Sequence, residues 1–139
     1  MKLIDWQLSI NAGMVILIWM VQTIIYPAYH SISPELFKSW HGIYSGQISR
    51  IVAPLMLLQI GLAGMLFLKE LNALTGAHLL LIIGTWAVTF FVSVPLHGEL
   101  NRIGQHTESI DKLVATNWYR TALWSGAFIV SIIIKWKSA

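Results

Sequence analysis

The chain has 139 residues, 56% of them apolar and 11% charged, with nine Lys/Arg, six Asp/Glu and no cysteine. At a mean hydropathy of +0.67, this composition excludes disorder, which needs low hydrophobicity and high charge, and disulfide or thiolate-metal frameworks, which need cysteine. The scattered basic residues form no phosphate-tracking patch, so no nucleic-acid partner is expected, and four long apolar stretches point to the lipid bilayer as the partner instead.

A membrane-crossing helix needs about 20 mostly apolar residues. The first such stretch, residues 6–26, carries no charge and ends at Pro27. It is longer than the apolar core of a secretory signal and no small-x-small cleavage site follows, so it reads as a permanent span. Ser33-Pro34-Glu35 then starts a helix: an N-cap, a proline at the first helical position and an acid on the positive dipole end. Phe37, Trp40, His41 and Tyr44 follow at helical spacing. This segment is expected to be either an extension of the next helix or an interfacial helix bending near Gly42, Gly46 or Pro54. Residues 51–68 form the second span, bounded by Arg50 and Lys69-Glu70. Residues 74–96 form the third, with His78 as its ionisable group. A polar loop over residues 98–113, in which Thr107 or Ser109 caps the last helix, leads to the fourth span, residues 114–134, which carries Arg120.

The fold class expected is all-α: an integral membrane four-helix bundle over a single domain, residues 1–139, with an additional interfacial helix or helix extension between the first and second spans. Four spans place both termini on one side. Lys2, Lys69, Lys135 and Lys137 fall there in short segments, and Lys38, Arg50, Arg102 and Lys112 fall on the other side in longer ones. The denser side favours cytoplasmic termini of a multi-pass protein in a bacterial inner membrane. Trp6, Trp40, Trp118 and Trp136 lie near span ends, where indoles prefer the headgroup layer. Small-x3-small spacings such as Ala122-x3-Gly126 suit close helix packing, within the bundle or in a homo-oligomer.

Polar residues inside a bilayer usually face the bundle interior or water. Sorting them by depth gathers Gln22, Tyr26, Ser93, His97, Asn117 and Arg120 at the loop-rich end, together with Trp40, His41 and Tyr44. Trp124 shares the side of Asn117 and Arg120, while Asn11, His78 and Ser131 belong to the opposite end. One reading of the cluster is mutual satisfaction and helix packing. The other is a pocket in which His41 or His97 moves a proton and Arg120 stabilises charge on a ligand oxygen. Gln22, Tyr26, Trp40, Tyr44, Ser93, Asn117 and Trp124 would then bind the ligand, with Trp86 adding stacking surface. His41 and His97 could alternatively be axial ligands of a b-type haem. No His-x3-His or His-Glu-x2-His motif assigns another metal.

Two motifs carry a family resemblance: Ser93-Val94-Pro95-Leu96-His97-Gly98-Glu99-Leu100 and Asn117-Trp118-Tyr119-Arg120-Thr121-Ala122-Leu123-Trp124. With Gln22-x3-Tyr26-Pro27 and Trp40-His41, they resemble small bacterial four-span membrane proteins of unassigned function and are similar to the anthrone-oxygenase-like membrane family. The resemblance implies a four-helix bundle and, for assigned relatives, an oxygenase acting on polycyclic phenolic anthrones without an obvious metal. The functions expected are therefore a membrane oxygenase or a binder of a lipophilic aromatic or quinone-like molecule. The alternatives are a haem b electron-transfer protein and a non-catalytic accessory or assembly subunit.

Overall fold

The computed structural model describes residues 2–138, which are all-helical apart from short connections and contain no strand. Four helices account for them: α1 (Leu3–Ser31), α2 (Pro34–Lys69), α3 (Ala73–Ile103) and α4 (Thr107–Lys137). α1, α2 and α3 are long and apolar enough to cross a membrane. α4 matches them in length but spends interior positions on Asn117, Arg120 and Thr121, all buried.

The connections are shorter than the sequence suggests. Residues 32–33, 70–72 and 104–106 link the helices, so most of the expected 98–113 loop is helix. α3 ends where Gly104 takes a φ of 88°, a left-handed conformation that stops the helix at little cost only in glycine. His106, rather than Thr107 or Ser109, caps α4, its Nδ1 accepting the Ser109 backbone N–H at 3.3 Å. The segment after Pro34 is the helix-extension alternative: α2 runs unbroken through Gly42, Gly46 and Pro54.

Pro27 does not end α1, nor Pro95 α3. A proline lacks the N–H that would bond the carbonyl four residues back, and its ring crowds that carbonyl. Here each proline follows a π-helical turn, Val21–Ile25 and Thr89–Ser93, closed by Tyr26 N–H to Val21 O and Val94 N–H to Thr89 O. The wider turn makes room and adds one residue to the helical count. The buried stripe of α3 accordingly runs Thr75, His78, Ile82, Thr85 and then jumps to Ser93, Leu96 and Leu100. Thr23 and Thr89 return hydroxyl bonds of 2.7 Å to Trp19 O and Thr85 O, which occupies carbonyls beside each turn.

The chain ends of the bundle meet: Lys135 pairs with Asp5, and Lys2 Nζ donates to Ser138 O at 2.9 Å. At the other end Gln105 Nε2 donates to Tyr29 O (3.0 Å) and Ile32 O (2.6 Å), tying the α3–α4 connection to the α1–α2 corner. His30 is exposed and bonds Asp111 at 2.9 Å. Gly84 sets the closeness of α3 and α4, since a Cβ there would lie 3.3 Å from both Leu123 methyls. Gly84→Val is expected to cost about 1–3 kcal/mol through overpacking, read as a lower unfolding midpoint in detergent.

Candidate functional site

Polar side chains run through the interior in two linked knots. In the deeper one Asn11 Oδ1 accepts from Gln7 (3.1 Å) and Gln59 (2.8 Å), and Asn11 Nδ2 donates to His78 Nε2 (2.9 Å). His78, six residues into α3, is fully buried and tied across to α1 by this bond. Trp124 Nε1 donates to Gln59 Oε1 at 3.0 Å and connects this knot to the next, because the Arg120 guanidinium lies 4.9 Å over the Trp124 ring. Trp19 lies on the outer surface and its indole N–H donates to Ser125 Oγ at 3.1 Å.

Arg120 is placed by α4, about 20 Å along the helix from Thr107 at about 1.5 Å per residue. It is 6% exposed. Its Nη1 donates to Asn117 Oδ1 (3.3 Å), Ser93 Oγ (3.4 Å) and Tyr26 Oη (3.5 Å), and its Nε is buried without a partner. Gln22 does not reach it directly. Gln22 instead accepts from Asn117 (2.9 Å) and Thr121 (3.2 Å) and donates to Val114 O (3.0 Å), which holds Asn117 in place. The π turns carry Gln22 and Ser93, so both widened turns serve the level of Arg120. Among the described residues the only ion pairs are His30–Asp111 and Asp5–Lys135, so no carboxylate faces this guanidinium. A buried cation without an opposite charge is costly, so its neutral oxygen partners matter to the fold.

From Tyr26 a hydrogen-bonded chain runs toward the α1–α2 corner. Tyr26 Oη lies 2.9 Å from His97 Nε2, His97 Nδ1 lies 2.9 Å from His41 Nε2, and His41 Nδ1 lies 2.7 Å from Asn101 Oδ1. One assignment with neutral rings satisfies every bond. Asn101 Oδ1 can only accept, so His41 Nδ1–H donates to it. His41 Nε2 then accepts from His97 Nδ1–H, and His97 Nε2 accepts from the Tyr26 hydroxyl. Aromatic rings enclose the chain: Phe37 stacks on His41 at 5.4 Å, and the fully buried Tyr29 meets His41 edge-on at 5.4 Å. The direct contact of the two imidazoles, stacked 5.2 Å apart, leaves no room for a macrocycle between them, so the pair does not fit bis-axial haem ligation. Among the described residues no three His, Asp or Glu side chains converge to hold a metal ion.

A cavity of about 640 Å³ opens between α2 and α3. The two helices pack together above and below it and scarcely touch along the Thr89–Ser93 π turn. Its floor is polar, with Tyr26, Ser93, His97 and Arg120, the exposed Asn101 borders it toward the α3–α4 connection, and its walls include Val21, Tyr44, Val52, Met56 and Trp86. Its rim carries the exposed residues Ala53 and Leu57 on α2 and Phe90 and Val94 on α3. Of the residues expected at a site, Tyr26, Tyr44, Ser93, His97 and Arg120 line this cavity. Gln22, His41, Asn117 and Trp124 stand behind that layer as supports. Trp40 lies outside, half-exposed and stacked on Tyr44 at 5.3 Å. The sequence reading missed Asn101, Ser45 and Tyr29. Asn101 is one helical turn beyond His97, and that spacing would have exposed it had α3 been carried past Pro95.

Comparison with protein-family models, with curated proteins and with solved structures found no match to the chain.

Proposed function

We propose that this is a four-span membrane protein, termini cytoplasmic, that binds a lipid-soluble aromatic or quinone-like molecule entering sideways from the bilayer between α2 and α3. The observation that carries this reading is the cavity, apolar at a rim of exposed Leu57, Phe90 and Val94 and polar at a floor of Arg120, Tyr26 and His97. Ligand pockets are commonly of this kind, mostly apolar with a few converging polar groups. Trp86 supports it by adding aromatic surface to the cavity wall.

In the catalytic form of the proposal, suggested by the anthrone-oxygenase resemblance, His97 accepts a proton through Tyr26 and Arg120 stabilises the oxyanion left on a phenolic ring. Dioxygen would then react with that electron-rich ring. Gln22 and Asn117 position Arg120, while His41 and Asn101 orient His97.

The test uses the protein in lipid nanodiscs with 2-hydroxyanthraquinone as probe. Saturable quenching of indole fluorescence is expected, with Trp86 the responding residue, and Ala53→Trp at the rim is expected to weaken it at least tenfold while leaving the fold intact. Unsaturable quenching that Ala53→Trp does not change would overturn the reading.

A further inference from the structure

We propose that the cavity holds its ligand as a singly charged oxyanion, taking up a lipid-soluble acid in neutral form and passing its proton out through Tyr26, His97 and His41. This rests on the lateral-cavity reading above and specifies the ligand that the cavity selects.

The argument begins with charge. Arg120 lines the cavity, its Nη1 makes only long contacts of 3.3–3.5 Å to neutral oxygens, and no bond to Nη2 occurs among the described residues. The titratable groups around it are Tyr26 from α1, Tyr44 from α2 and His97 from α3, none of which carries negative charge in its ordinary state near neutral pH. No acid on α4 turns toward it either, since the helix's acids, Glu108 and Asp111, are in its first turns and exposed. A buried guanidinium calls for an opposite charge, and the protein supplies none, so the place left for it is the cavity. A planar two-pronged donor suits a carboxylate, phenolate or enolate oxygen.

Entry sets the second condition. Between Ala53, Leu57, Phe90 and Val94 the rim is apolar and faces the lipid side of α2 and α3, through which an ion passes poorly, so an acid entering there arrives neutral. The third condition is an acceptor for its proton, and the ordered chain provides one. The ligand O–H bond breaks and its proton goes to Tyr26 Oη as the Tyr26 proton moves to His97 Nε2. The His97 Nδ1 proton moves to His41 Nε2. The result is the ligand oxyanion on Arg120 and an imidazolium at His41, with Nδ1–H held by Asn101. Asn101 is exposed at the corner end, where the His41 Nδ1 proton leaves to water. Both imidazoles are then Nε2–H tautomers, and reorientation of the two rings and the Asn101 amide restores the starting pattern once the ligand departs. No oxidant or reductant takes part.

The experiment compares 2-hydroxyanthraquinone with 2-methoxyanthraquinone, which cannot ionise, on the protein in nanodiscs. It is run in weakly buffered medium at a pH where the hydroxy probe in empty nanodiscs is neutral. Expected are the red-shifted anion absorption of the bound hydroxy probe, release of about one proton per bound probe, and at least tenfold weaker binding of the methoxy probe. Arg120→Lys is expected to retain the anion band and Arg120→Gln to lose it. If both probes bind alike and the hydroxy probe keeps its neutral spectrum, the anion proposal is overturned while the cavity reading stands. If neither probe binds saturably to the native protein, both fall.

Discussion

Replacing Asn11 by leucine is expected to destabilise the bundle by about 2–5 kcal/mol. Asn11 accepts from Gln7 and Gln59 and donates to His78, with a longer bond of 3.4 Å to Ala127 O, so one side chain links all four helices. Interhelical hydrogen bonds within membranes average about 0.6 kcal/mol and reach about 1.7, which puts the bonds themselves near the lower figure. The remainder comes from what is left behind, because a buried polar group without a partner costs about 1–3 kcal/mol. Gln7 Oε1 and His78 Nδ1 already lack partners, so Gln7 Nε2, Gln59 Nε2 and His78 Nε2 would join two polar atoms that are unpaired in the native knot. Reversible unfolding in mixed micelles measures the effect. The double variant Asn11→Leu, His78→Leu should be less destabilised than the sum of its single variants, since removing both ends of a bond leaves fewer orphans. Strict additivity would mean that the knot is not a coupled unit.

The apolar runs of α1 to α3 were plain in the sequence because hydropathy over some 20 residues needs no knowledge of neighbours. The ends of the helices were not. Pro27 and Pro95 look like stops under the rule that proline breaks a helix, and only the π turns ahead of them let each helix continue. A π turn has no reliable local signature, since its stability comes from neighbours such as Asn117 and Arg120 that lie far away in sequence.

That single misreading of α3 shaped the reading of the site. Ending the helix at residue 96 turned Asn101 into a loop residue, although it lies four positions beyond His97 and bonds His41. The start of α4 was hidden likewise: the apolar run begins at residue 114, whereas the helix begins at Thr107, in a polar stretch that hydropathy passes over. The side of α4 that Arg120 occupies was legible, because Asn117, Thr121 and Trp124 share its face at helical spacing and all are buried. The contact between His41 and His97 was not. Spacing places both near one end of a bundle, but whether two rings meet directly or flank a cofactor is decided by packing, here by Phe37 and Tyr29 closing round them.

His97→Gln is expected to separate proton transfer from binding. Glutamine has an amide that can donate toward His41 and accept from Tyr26, so the cavity floor keeps its shape, but it cannot carry a proton from one neighbour to the other. In the catalytic form of the proposed function, oxidation of a lipid-soluble anthrone under dioxygen should fall by about 10²–10⁴-fold, the usual worth of a positioned general base. Binding of the non-ionising 2-methoxyanthraquinone, which needs no proton transfer, should change by less than about threefold. His97→Phe removes the hydrogen bonds as well and should lower both turnover and binding, because Tyr26 and His41 then lose a partner in a buried site. Tyr26→Phe should reproduce the turnover defect of His97→Gln, since it breaks the same path one step earlier, between Arg120 and the imidazole. Full turnover in both His97→Gln and Tyr26→Phe, in protein that still binds the probe, would remove these two residues from the reaction and leave the chain of hydrogen bonds as a brace for the α1–α2 corner.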